Sequence, residues 1–189
     1  MMQQADAVFE KNLAELTELL PRLGALAPAV GRLAEAMKAC FDSGCKMLVA
    51  GNGGSAADAM HFAEELVVRF AKNRQALPAI ALCDPTVITC AGNDFGYDTV
   101  FTRQVEALGK PGDLLVVMST SGNSANLVLA VQQAAKAGVK TCSLTGKDGG
   151  KLDGLCDLQI VVPSQITHHI QEAHKLIYHA LCEWIDTQY

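Results

Sequence analysis

His61 and Glu65 lie four residues apart and Asp58 three residues before His61, so on a helix all three share one face. The residues between and around them, Ala59, Met60, Phe62, Ala63 and Leu66, are apolar. A purely solvated charged face fits that setting poorly, whereas a buried histidine that is hydrogen-bonded, catalytic or metal-ligating fits it well. The other four histidines, His168, His169, His174 and His179, fall in one C-terminal stretch, so all five occupy two places. Gln171 and His179 are eight residues apart, about 12 Å along a helix axis but similarly facing. They meet one ion only by leaning together, or if the groups come from different subunits. A set of two histidines, a carboxylate and an amide suits Zn²⁺, with Mn²⁺ or Ni²⁺ as alternatives.

Two loops have the chemistry of anion binding. The apolar run Met47 to Ala50 leads into Gly51-Asn52-Gly53-Gly54-Ser55 and then a helix, which presents backbone N–H groups and a helix N-terminus to an anion unless the segment is a plain tight turn. Gly51, Gly53 and Ala56 also fit a G-x-G-x-x-A dinucleotide fingerprint, but Asp84, the acid that would hold the ribose, lies further away than that motif places it. A second loop, Ser119-Thr120-Ser121-Gly122-Asn123-Ser124, again precedes a helix and gathers four hydroxyls. Capping a helix needs one hydroxyl; a phosphomonoester accepts several hydrogen bonds. Together the loops point to a small phosphorylated ligand and away from a nucleotide cofactor.

The elements that must position these groups alternate. Met47 to Ala50, Ala79 to Cys83, Leu114 to Met118, Thr141 to Leu144 and Leu158 to Val162 read as strands. Helices are expected at about Ala56 to Phe70, Asp98 to Ala107, Ser124 to Ala137 and Ile170 to Asp186. Strands apolar on both faces and separated by helices predict an α/β doubly wound, five-stranded parallel sheet, with the ligand site beyond the carboxyl ends of the strands. Before this rhythm, Asn12 to Leu23 and Val30 to Phe41 show helical periodicity around Pro21, Gly24 and Pro28. The chain is therefore read as an N-terminal helical arm, residues 1–44, serving oligomerisation, and one α/β domain, residues 45–189.

Composition narrows the classes further. Half the residues are hydrophobic and 19% are charged, which predicts surface buried between subunits. A net charge of -5 without clustered Lys and Arg argues against a nucleic-acid partner. No apolar run reaches the roughly 18 to 20 residues of a membrane span. The stretch Met1 to Glu10 carries Asp6 and Glu10 where a secretion signal is basic and then apolar, so a cytoplasmic location is expected. Seven cysteines without a CxxC pair read as reduced, buried thiols.

The strings GNGGSAADAMHFAEE, AGNDFGYDTVFTRQVEALG, STSGNSANL, LTGKDGG and IQEAH, in this order, resemble the sedoheptulose-7-phosphate isomerases, a branch of the sugar isomerase (SIS) domain family. The resemblance covers nearly the whole chain. It implies a homotetramer of flavodoxin-like domains with active sites at subunit interfaces. In that pattern Asn52, Gly53, Gly54 and Ser55 match a first substrate loop, Asn93 and Asp94 a second, and Ser119, Thr120, Ser121 and Ser124 the phosphate loop. His61, Glu65, Gln171 and His179 match a zinc-ligand set, with Gln171 also at the substrate, and Glu65 and His179 match an acid/base pair. One departure is that Thr167, His168 and His169 precede Ile170 and Gln171, where several relatives carry an acid. His168 and His169 are expected as polar loop residues outside the ligand set.

The resemblance implies conversion of the ketose sedoheptulose 7-phosphate to the aldose D-glycero-D-manno-heptose 7-phosphate through an enediol, the entry to bacterial heptose. Glu65 would move the proton between C1 and C2 while His179 exchanges protons with the oxygens and a metal steadies the developing charge. A Glu65 that binds zinc tightly is a poorer base, because its lone pairs are engaged. Two alternatives lack this chemistry: a SIS adaptor that binds the replication initiator, and a SIS sensor that binds a sugar phosphate without turnover.

Overall fold

The computed structural model describes residues 4–189; the first three residues of the expected arm and of the N-terminal stretch lie outside them. Five strands, β1 (Met47–Gly51), β2 (Ala79–Ala81), β3 (Leu114–Ser119), β4 (Lys140–Gly146) and β5 (Leu158–Val162), form one sheet in the order β2-β1-β3-β4-β5. Every pairing is parallel. Side chains alternate across the pleat, so each strand feeds two cores. Met47, Val49, Leu114, Val116 and Met118 point to one face. Leu48, Ala50, Leu115 and Val117 point to the other. Both faces therefore need helical cover, the reason these strands are apolar throughout.

On the first face lie α2 (Ala27–Asp42), α3 (Gly54–Val67) and α7 (Thr167–Ile185); on the second lie α4 (Pro85–Phe95), α5 (Thr102–Leu108) and α6 (Ala125–Lys136). The chain leaves β1 through α3 on one face and leaves β3 through α6 on the other. The winding thus reverses between β1 and β3, and their carboxyl ends open a cleft. Both anion-binding loops sit there.

The N-terminal segment is two helices joined by a single 3-10 turn, Gly24–Leu26. The first, α1 (Ala5–Leu23), runs through Pro21 and buries only Leu19. By contrast α2 buries Leu33, Ala34, Ala36, Met37, Cys40 and Phe41 and is part of the core. Helix α4 has no counterpart among the sequence-expected elements. Its β-branched run Thr86-Val87-Ile88-Thr89 weakens helix propensity, yet Asp84 caps it by accepting from the N–H groups of Thr86 and Val87 at 2.8 and 3.0 Å, and Pro85 opens it. Asp84 is thereby engaged as a cap. The helix expected from Asp98 begins as a 3-10 turn at Tyr97–Thr99 and becomes α-helical only at Thr102. Among the cysteines, Cys40, Cys142 and Cys182 are buried, but Cys90 is exposed, contrary to a uniformly buried set.

Candidate active site

The loop after β3 forms one wall of a cavity of about 240 Å³ lined by Asn52, Ser55, Ser119, Thr120, Ser121, Ser124, Thr167 and Gln171. Ser124 is the N-cap of α6, yet its hydroxyl makes no capping bond. Ser119 Oγ accepts from Gly122 N at 3.1 Å and Ser121 Oγ from Asn123 N at 3.2 Å. In both cases the hydroxyl serves as acceptor, so its O–H remains a donor for a ligand, and a phosphate needs donors. Helix capping does not account for the hydroxyls.

The loop is held by its neighbours. Asn52 and Asn126 exchange a reciprocal amide pair at 3.0 and 2.9 Å, which ties the β1 loop to α6 across the switch point. Tyr97 donates to Asn52 Oδ1 at 2.9 Å. From below, the turn after β4 braces the cradle: Leu152 N donates to Gly122 O and Lys151 N to Asn123 Oδ1, both at 3.1 Å. Gly122, at φ +66°, packs so closely on Gly149 that a Cβ has no room there. The LTGKDGG string thus supports the hydroxyl loop.

A second group gathers on α3 and α7, which run side by side in the same direction. His61, Glu65 and His179 bring one ligand atom each to within 4.8 Å of one another. His61 Nε2 lies 3.0 Å from Glu65 Oε1. The His61 and Glu65 side chains retain 37% and 15% of their exposure, so the group opens to the surface of the single chain. His179 Nε2 is buried without a hydrogen-bond partner, a lone pair available to an ion or a proton. Burial lowers the His179 pKa, with the neighbouring His61 acting in the same direction, which keeps the ring neutral. The donor set fits a divalent transition metal.

Two residues overlooked in the sequence orient this trio. Tyr178 OH lies 3.1 Å from His61 Nδ1 and donates to Asp58 Oδ1 at 3.4 Å. A histidine whose other nitrogen is engaged in this way presents Nε2 as the outward atom. Buried among Phe62 and the core, Tyr178 reads from sequence as packing alone; its position one residue before His179 was the available signal. Arg74 is the other: it donates to the carbonyls of Glu65 and Leu66 at 2.8 Å and pairs with Asp186 at 2.9 Å.

Gln171 lies elsewhere. A Cβ on Gly54 would meet its Nε2 at 2.5 Å, so its amide rests on the start of α3, beside the hydroxyl cradle. From there to His61 is seven residues of α3, about 10 Å. One chain thus unites His61, Glu65 and His179 but leaves Gln171 with the cradle. Asn93 and Asp94 stand in the last turn of α4 and not in a loop; they are exposed, and Asn93 Nδ2 donates to Asp94 Oδ1 at 2.8 Å. His174 is a core residue, donating from Nε2 to Thr145 O at 3.1 Å, and burial lowers its pKa to about 4. His168 and His169 are helical, in the first turn of α7, and correct the loop expectation. His169 is buried against Glu172 and Glu15.

Comparison with known proteins agrees with this geometry. The SIS domain model matches residues 12–146. The phosphoheptose isomerase of Trichlorobacter lovleyi is 47% identical over 186 residues, 98% of this chain and 90% of that protein. That of Aliarcobacter butzleri is 54% identical over 147 residues, 77% of this chain and 78% of its own length. Among solved structures, a phosphoheptose isomerase from Francisella tularensis superposes with a TM-score of 0.94 at 38% identity, covering 98% of this chain and all of that one. Domain model, relatives and superposition together place the chain in the SIS domain family, among the phosphoheptose isomerases.

Proposed function

We infer that this chain is an aldose–ketose isomerase that converts sedoheptulose 7-phosphate to D-glycero-D-manno-heptose 7-phosphate. The observation that carries the reading is the layout of α3 and α7: a cradle of free hydroxyl donors at one end, and His61, Glu65 and His179 about two turns further on. A seven-carbon chain of C–C bonds near 1.5 Å reaches roughly 10 Å from phosphorus to C1, which matches that offset. A triose phosphate would be too short to join the two groups. Relatives that carry the isomerase name match 98% and 77% of the chain, so the adaptor and sensor readings have no support of their own.

The roles follow from the chemistry. Ser119, Thr120, Ser121 and Ser124 hold the phosphate by donating hydrogen bonds, with the N–H groups of Asn52, Gly53 and Gly54, the Ser55 side chain and the Gln171 amide set along the sugar. Glu65 takes a proton from C1 of the ketose and returns it to C2 of the aldose, while His179, neutral at rest, accepts the proton of the O1 hydroxyl and passes it to O2, so no proton is gained or lost overall. A zinc ion resting on His61, Glu65 and His179 would supply charge stabilisation at the oxygens, with Glu65 and His179 released from it when they exchange protons with the substrate. Asn93 and Asp94 are assigned to the substrate rim that Tyr97 ties to Asn52. The assembly is assigned to a cytoplasmic homotetramer in which residues 1–44 serve as the oligomerising arm through the exposed face of α1, while α2 also packs into the core of the domain formed with residues 45–189. The surface opening of the trio and the displaced Gln171 support a site completed by a neighbouring copy.

The test is proton NMR of the purified protein with sedoheptulose 7-phosphate, with and without chelator. An aldose phosphate should appear; its absence sinks the function. In deuterated water Glu65→Gln should still bind substrate but lose C–H exchange, and rapid exchange in that variant removes Glu65 from the role of base.

A further inference from the structure

A second cluster of metal-binding side chains lies outside the site described above. Glu15 on α1 and His168 and His169 at the start of α7 bring one ligand atom each to within 4.8 Å of one another. They come from opposite ends of the chain. His169 Nε2 stands 3.3 Å from Glu15 Oε2. Donors bound to one tetrahedral zinc at about 2.1 Å sit roughly 3.4 Å apart, so this pair already has the spacing of two ligands of one ion. The His168 and His169 rings adjoin, with centroids 4.3 Å apart.

The surroundings have the form of a built site. His169 is buried, and its Nδ1 faces Glu172 Oε2 at 2.7 Å, which leaves Nε2 directed at Glu15. A carboxylate on the far nitrogen of a ligating histidine is the usual outer support of a metal. Asn12 Oδ1, 2.8 Å from His168 Nε2, holds the second ring in place. A cavity of about 600 Å³, lined in part by Glu15, Glu18 and His169, gives an ion a way in. Three features oppose a cation: the positive end of α7, Lys11, 3.5 Å from Glu15, and the proton that Glu172 and Glu15 favour on His169, which an ion must displace. Glu15 and Glu172 offset the first, and Lys11 engages Oε1, the oxygen that does not face His169.

We propose that Glu15, His168 and His169 form a second divalent transition-metal site, for Zn²⁺ or an ion of similar N/O preference, that staples α1 to the first turn of α7. The site lies two residues before Gln171, so a bound ion would stiffen the end of α7 that borders the substrate cradle. It takes no part in the isomerisation chemistry.

The experiment is equilibrium dialysis of the full-length protein against Zn²⁺, with metal counted per chain by mass spectrometry. Wild type should hold one ion more than His168→Ala. In a His61→Ala background, where the first trio is disabled, Zn²⁺ should still bind and raise the melting temperature. Adding His168→Ala should abolish both effects. Because His168 is exposed, that variant should fold; Glu15→Gln, at the other end of the staple, provides an independent arm with the same expected loss. The proposal is overturned if His168→Ala and Glu15→Gln both keep the wild-type ion count, or if all Zn²⁺ binding and stabilisation disappear with His61→Ala alone. Because the two trios are counted separately, failure of this site leaves the isomerase reading intact, and failure of the isomerase assay leaves this one intact.

Discussion

At the scale of single residues, the candidate site depends on which atom of each side chain is left without an intramolecular partner. Ser124 stands at a helix start without capping it, and His179 Nε2 is buried with nothing to bond. The first is a half-exposed donor free for a ligand, and the second, being buried, costs free energy until a ligand completes it. Tyr178 works in the opposite sense, because its hydroxyl already bridges His61 and Asp58. Tyr178→Phe keeps the ring packed against Phe62 and removes only that bridge. Stability should fall by about 1 kcal/mol, and Zn²⁺ affinity at the His61 trio should weaken by about 10- to 100-fold. Thermal melts and metal titration of the variant check both numbers; a loss of stability without a loss of affinity would make Tyr178 a packing residue only.

At the scale of elements, the two helices α3 and α7 carry the chemistry, and their registration is set by a clamp remote from the ligands. Asp186, just after α7, accepts from Arg74 and from the N–H groups of Ala71 and Lys72 at 2.7 to 2.9 Å. Arg74 in turn holds the Glu65 and Leu66 carbonyls at the end of α3. The Arg74 and Asp186 side chains are 1% and 2% exposed. Asp186→Ala would leave the guanidinium buried and unpaired, at a cost of about 3–5 kcal/mol, measurable as a lower urea midpoint. Burial by itself raises the Asp186 pKa, but the Lys72 and Ala71 N–H groups and Arg74 outweigh it and the net shift is downward. A depressed folded value means that the clamp contributes fully above the unfolded aspartate pKa, about 3.9, and is lost as pH falls through the lower folded value. Wild-type stability should therefore show an acid-limb decrease that is smaller in Asp186→Ala.

At the scale of the whole molecule, the single chain sets its trio on α3 and α7 and its hydroxyl cradle on the loop after β3, beside the starts of those helices, yet leaves the trio open and Gln171 apart from it. Exposed apolar side chains on α1, Phe9, Leu13 and Leu20 among them, supply surface for a second copy. If a site takes its cradle from one chain and its trio from a neighbouring copy, mixing Glu65→Gln with Ser119→Ala under conditions that exchange subunits should restore activity that neither variant has alone. If each chain holds a whole site, every mixed assembly stays inactive. Enzyme assay of the mixture, with native mass spectrometry to confirm exchange, separates the two.

The alternation of apolar runs and amphipathic stretches is legible along the chain, and with it the parallel sheet and its two helical faces. The sequence also placed the hydroxyl loop and the His61–Glu65 pair, because these depend on periodicity and on neighbours within one turn. Helix α4 escaped this reading since its stability comes from the Asp84 cap and from packing, against its β-branched composition. Contacts across long stretches of chain come from the packing of the folded molecule: Tyr178 on His61, Asp186 on Arg74, and Glu15 on His169, separated by 117, 112 and 154 residues. The physical reason is that such contacts follow from how rigid elements pack, and no local pattern of residue types encodes the angle at which one helix meets another.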